Sequence, residues 1–80
     1  MTTNTNTRPL STIAREIQQT WPKVNYAAVP YLDAMLTLDD VEDNYGYDSG
    51  DMIVRYFLSN ATGWRGDDAR RIKAELKAML

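Results

Sequence analysis

Residues 48–64 read DSGDMIVRYFLSNATGW, and the fold turns on how this stretch is read. Its centre, Met52-Ile53-Val54-Arg55-Tyr56-Phe57-Leu58, is apolar apart from Arg55. A helix made from it is hydrophobic nearly all round and belongs in the middle of a fold. Asp48 is suited to cap its start, and Asp51 sits favourably at its positive end. Gly63 can adopt the left-handed conformation that stops it, with Trp64 folding back onto Leu58. A strand is the rival, because Ile53, Val54, Tyr56 and Phe57 favour sheets. The run lacks a period of two, and capping residues stand at both ends, so a helix is expected.

Downstream, Trp64-Arg65-Gly66 makes a tight connection. Asp67 and Asp68 then open a last helix whose core stripe is Ala69, Ile72, Leu76 and Met79, with Leu80 beside it. Its other face carries Arg70, Arg71, Lys73 and Lys77. Upstream, Thr37 reads as an N-cap, with Asp39 and Asp40 in the first turn and Gly46 as the stop. Leu38, Val41 and Tyr45 recur at i, i+3 and i+7 between them, which describes a short helix with an acidic outer face. Before it, Ala27, Tyr31, Ala34, Met35 and Leu38 form a stripe that Leu32 and Leu36 widen. Pro30 costs little there in a first turn and bends a helix that starts earlier. Leu10, Ile13, Ala14, Ile17 and Trp21 make the stripe of the first helix, which Pro22 ends near Thr20. The expected fold is all-α. Four main helices and a short acidic one, at 11–20, 27–36, 38–45, 49–61 and 67–79, surround a buried central helix. Residues 1–9 are expected as a flexible tail and 10–80 as a single helical domain.

The chain has 80 residues, 44% of them hydrophobic, which suits one small globular domain. It contains no Cys and no His, which removes disulfides, thiolate metal sites, the commonest metal ligand and the commonest general base. Ser11, Ser49 and Ser59 therefore lack a histidine to activate them. Gly46, Gly50, Gly63 and Gly66 are spaced as turns and caps, and they form no phosphate loop. Placing Gly46 sixth in a calcium loop puts Val41 first and Tyr45 fifth, which fails. Paired carboxylates of the acidic segment have no pocket-forming scaffold for glycosidase chemistry. No enzymatic activity, metal or cofactor is expected. Asn60-Ala61-Thr62 matches a glycosylation pattern, but residues 1–9 have no secretory character. No apolar run approaches the length of a membrane span, so a cytoplasmic protein without a membrane partner is expected.

Net charge is −2, unevenly spread. Residues 24–54 hold Asp33, Asp39, Asp40, Glu42, Asp43, Asp48 and Asp51 with no Lys or Arg, whereas 55–80 hold six bases against three acids. Tyr45 and Tyr47 flank a glycine inside the acidic segment. Tyrosine offers a large rigid contact area with a polar handle. The residues expected to bind a protein are Asp39, Asp40, Glu42, Asp43, Tyr45, Tyr47 and Asp48. The other reading is a nucleic-acid regulator contacting phosphates through Arg65, Arg70, Arg71, Lys73 and Lys77. Its weakness is the acidic middle third and a pI near 4.8. A third reading is homo-oligomerisation, which buries excess apolar surface of so small a domain.

The segments NYAAVPYLDAM, YGYDSGDMIVRYFLSNATGWRG and ARRIKAELKAML resemble small uncharacterised proteins of actinobacterial phages and related mobile elements. The resemblance covers most of residues 11–80. It implies a small phage-encoded interaction protein, and it transfers no activity and no functional residue.

Overall fold

A computed structural model describes residues 8–80, so the expected tail lies almost wholly outside the described residues. Four helices and one short hairpin follow in the order α1 (Leu10–Thr20), α2 (Val29–Met35), β1 (Asn44–Tyr45), β2 (Asp48–Ser49), α3 (Gly50–Ser59) and α4 (Asp67–Ala78).

The stripe of α1 is buried as its spacing requires, with Leu10, Ile13, Ala14 and Ile17 all inaccessible to solvent. No side chain caps its start. Instead the Leu10 and Ser11 amides donate to the carbonyls of Asp39 (3.1 Å) and Leu38 (2.8 Å), which satisfies donors that a helix start leaves free. Pro22 holds Trp21 in an extended conformation, and the helix ends at Thr20. The second helix starts late, at Val29, with Pro30 in its first turn where the missing N–H does no harm. It buries Leu32, Ala34 and Met35. Asn25 precedes it and donates from Nδ2 to the Asn60 carbonyl at the far end of α3.

The short acidic helix expected at 38–45 does not form. Thr37 bonds back from Oγ1 to the Ala34 carbonyl, so it closes α2 and caps nothing new. Short acidic side chains then compete for backbone N–H groups. The Asp43 carboxylate accepts from the amides of Asp39 (3.1 Å) and Asp40 (3.0 Å), and Asp40 accepts from Glu42. The carbonyls of Leu38, Asp39, Val41 and Asp43 are meanwhile taken by the opening amides of α1 and α3. Those bonds leave few groups for a helical ladder. Asn44 pairs with Ser49 and Tyr45 with Asp48 in an antiparallel hairpin. Gly46, read as a helix stop, is the first residue of its two-residue connection at φ 65°.

The stretch that decides the fold is a helix, though two residues shorter at its end and not buried all round. One side, Ile53, Val54 and Phe57, enters the core. Met52 (39% exposed) and Tyr56 (41% exposed) face outward with Arg55. Ser49, rather than Asp48, holds the capping position. Gly63 does not take the left-handed conformation, and Trp64 closes a turn onto the Ala61 carbonyl (3.0 Å). Trp64 then stacks on Trp21, with ring centroids 5.2 Å apart and planes within 6°, while the edge of Trp21 meets Phe57. The core runs through all four helices and includes Ala69, Ile72 and Leu76 of α4; Met79 is half-buried and Leu80 largely exposed. Among the described residues, no helix is long and apolar enough to cross a membrane.

Candidate functional site

The residues expected to bind a protein all lie in the segment 39–48, which links α2 to α3 through the hairpin. Asp39, Asp40, Glu42, Asp43, Tyr45, Tyr47 and Asp48 are all exposed. Their backbone is fixed from two sides. The α1 amides hold the carbonyls of Leu38 and Asp39, and α3 holds those of Asp43 (from Gly50, 2.6 Å) and Val41 (from Asp51, 2.8 Å). Gly50 allows this closeness, because a Cβ there would lie 2.7 Å from the Asp40 carbonyl oxygen and 2.8 Å from that of Val41. Asp43 is committed to the loop's own amides and is a shaping residue more than a contact. The ring of Tyr47 stands fully exposed at the hairpin tip, and Tyr45 is 47% exposed. At the foot of the hairpin the Ser49 hydroxyl donates to the Asp51 carboxylate. That bond, with Arg55 nearby, holds the Asp51 carboxyl below its usual range.

The basic residues divide into two groups. Arg70 is paired with Asp67, and Arg71 with both Glu16 (2.7 Å) and Asp68 (3.1 Å). Lys73 is half-buried and donates to the Trp64 carbonyl (2.6 Å), with its ammonium 5.9 Å from that ring's centre. Burial lowers its pKa, and the neighbouring charges of Lys77 and Arg65 lower it further. Arg65, Lys73 and Lys77 have no acidic partner among the described residues, and of these Lys73 is engaged by the Trp64 carbonyl.

Charge pairing and a concavity also involve residues that the sequence reading passed over. Arg8 makes a two-pronged contact with Glu75, from Nε (2.8 Å) and Nη2 (2.6 Å). The same Nη2 lies 2.8 Å from Glu16 Oε1, an ion pair that adds Glu16 to the contact. Arg71, and then Arg8, draw the Glu16 carboxyl below its usual range, and the two acids raise Arg8. This chain of alternating charges ties the start of α1 to α4. Beside it lies a groove of about 370 Å³ lined by Arg8, Asp40, Val41, Glu42, Glu75, Ala78 and Met79. Glu75, Ala78 and Met79 share one face of α4 by their i, i+3 and i+4 spacing. No local signal joins that face to residues 40–42, since the two are far apart in the chain.

Among the described residues no three acidic side chains converge as metal ligands. Comparison of the chain with protein-family models, with curated proteins and with solved structures gives no match.

Proposed function

We propose that this chain is a non-enzymatic interaction protein that binds another protein through residues 39–48. The observation that carries the reading is Tyr47, a fully exposed aromatic ring on a hairpin whose foot is held by two backbone hydrogen bonds, from the Gly50 amide to the Asp43 carbonyl and from the Asp51 amide to the Val41 carbonyl. A tyrosine presented rigidly loses little conformational freedom on binding, which favours its use as an anchor. Around it Asp39, Asp40, Glu42 and Asp48 supply negative charge that steers a basic partner. The resemblance to phage and mobile-element proteins supports a phage-encoded protein acting on a host or phage protein in the cytoplasm. The nucleic-acid reading keeps only Arg65 and Lys77 as open cations, since Arg70, Arg71 and Lys73 are engaged within the chain.

Capture from host extract with the wild-type chain and with Tyr45→Ala/Tyr47→Ala tests the proposal. A protein retained by the first and lost by the second, with both chains melting alike, is the expected outcome. Tight binding of mixed-sequence DNA or RNA at physiological salt, abolished by Arg65→Glu/Lys77→Glu, contradicts it.

A further inference from the structure

We infer that the groove between the acidic segment and α4 receives an arginine or lysine side chain from a basic segment of the partner protein. The inference rests on the protein-binding reading above and specifies the partner's chemistry. The groove, about 370 Å³, falls within the size range of small binding pockets. Its apolar part comes from Val41, Ala78 and Met79, and its charge from Asp40, Glu42 and the paired Glu75 and Arg8, which leaves two acids in excess. A long cationic side chain has the same division, an alkyl stem that covers apolar surface and a head that seeks carboxylates. Neither Asp40 nor Glu42 has a cationic partner among the described residues, although both residues line the groove. Asp40 uses Oδ1 to hold the Glu42 amide, which fixes the segment without neutralising it. The third carboxylate, Glu75, already holds a guanidinium, that of Arg8, in a two-pronged contact at the groove's wall. The chain therefore contains its own example of the head group the remaining carboxylates would take. An anionic ligand is disfavoured by Asp40 and Glu42, and an apolar one leaves their charge unanswered.

Calorimetric titration with an oligo-arginine peptide, and with its citrulline counterpart of the same shape and no charge, tests this. The arginine peptide is expected to bind and the citrulline peptide to fail. Asp40→Asn/Glu42→Gln should weaken the arginine peptide about tenfold or more. Met79→Lys, which places a cation in the groove, should do the same. Asp33→Asn, an exposed acid outside the groove, should leave the affinity unchanged. Amide shifts on titration should centre on Val41, Ala78 and Met79. Equal binding of the two peptides, or arginine binding that survives both groove variants, overturns the inference. So do amide shifts that gather elsewhere. The peptide titration reads the groove, whereas capture of a partner lost in Tyr45→Ala/Tyr47→Ala reads the hairpin, so failure of the groove inference is distinguishable from failure of the protein-binding reading.

Discussion

Phe57 is the largest side chain with no solvent exposure, and it meets the edge of Trp21 from the middle of α3. Phe57→Ala should cost about 3–5 kcal/mol, a large share of a small domain's stability. Chemical denaturation checks this, and an unmoved midpoint would show that the core is centred elsewhere. Gly50 shows the complementary case, a residue defined by what it lacks. Gly50→Ala puts a methyl within contact distance of two backbone carbonyls that cannot swing away, so it should destabilise the fold and loosen residues 40–43. Faster amide exchange there, with α4 unchanged, is the expected signature. Phe57 was legible as core because it lies in the chain's most apolar run, although that run did not show that Met52 and Tyr56 would face outward. Gly50 was not, because the backbone it touches belongs to another segment, and no local pattern records that approach.

At the scale of elements, the four helices followed from apolar pattern and punctuation: Leu10 to Ile17 with Pro22, Leu32 to Met35 with Pro30, Asp67 and Asp68 with Ile72 and Leu76, and the Ile53–Phe57 run. The 38–45 segment was misread because Leu38, Val41 and Tyr45 imitate a helical period. The stronger signals were Asp40 and Asp43, which bind backbone amides themselves, and Tyr45-Gly46-Tyr47, which turns a hairpin. The exposure expected of residues 39–48 survives the wrong element, since a polar, charged segment stays at the surface in either conformation. Gly46 sits at φ 65°, where a Cβ is strained, so Gly46→Ala should lose about 1–2 kcal/mol and unsettle the Tyr45–Asp48 pairing. Cross-strand contacts measured by NMR, weakened in the variant and present in the wild type, check that prediction. The groove could not have been read in advance, because it joins residues 40–42 to the end of α4.

Over the whole molecule, the chain Glu75–Arg8–Glu16–Arg71–Asp68 fastens α1 to α4. Glu16 has a folded pKa below its unfolded one, so its contribution is fully present above the ordinary glutamate range, near about 4.3. That contribution is lost as pH falls through the depressed folded value. Stability should therefore decline on acidification below that range, and Glu16→Gln should flatten the slope; identical pH profiles for the two chains would remove Glu16 from the explanation. High salt should weaken the pairing more gently, since these side chains are only partly exposed. The proposed function turns, at this scale, on which charged side would meet a partner. The most direct measurement titrates a captured partner protein against the wild type, Tyr47→Ala and Arg65→Glu/Lys77→Glu, with melting temperatures recorded for all three. Binding through residues 39–48 requires that Tyr47→Ala lose about 1–3 kcal/mol of affinity at unchanged melting temperature while the charge reversal loses little. Undiminished affinity in Tyr47→Ala, with binding abolished by the charge reversal, would contradict it.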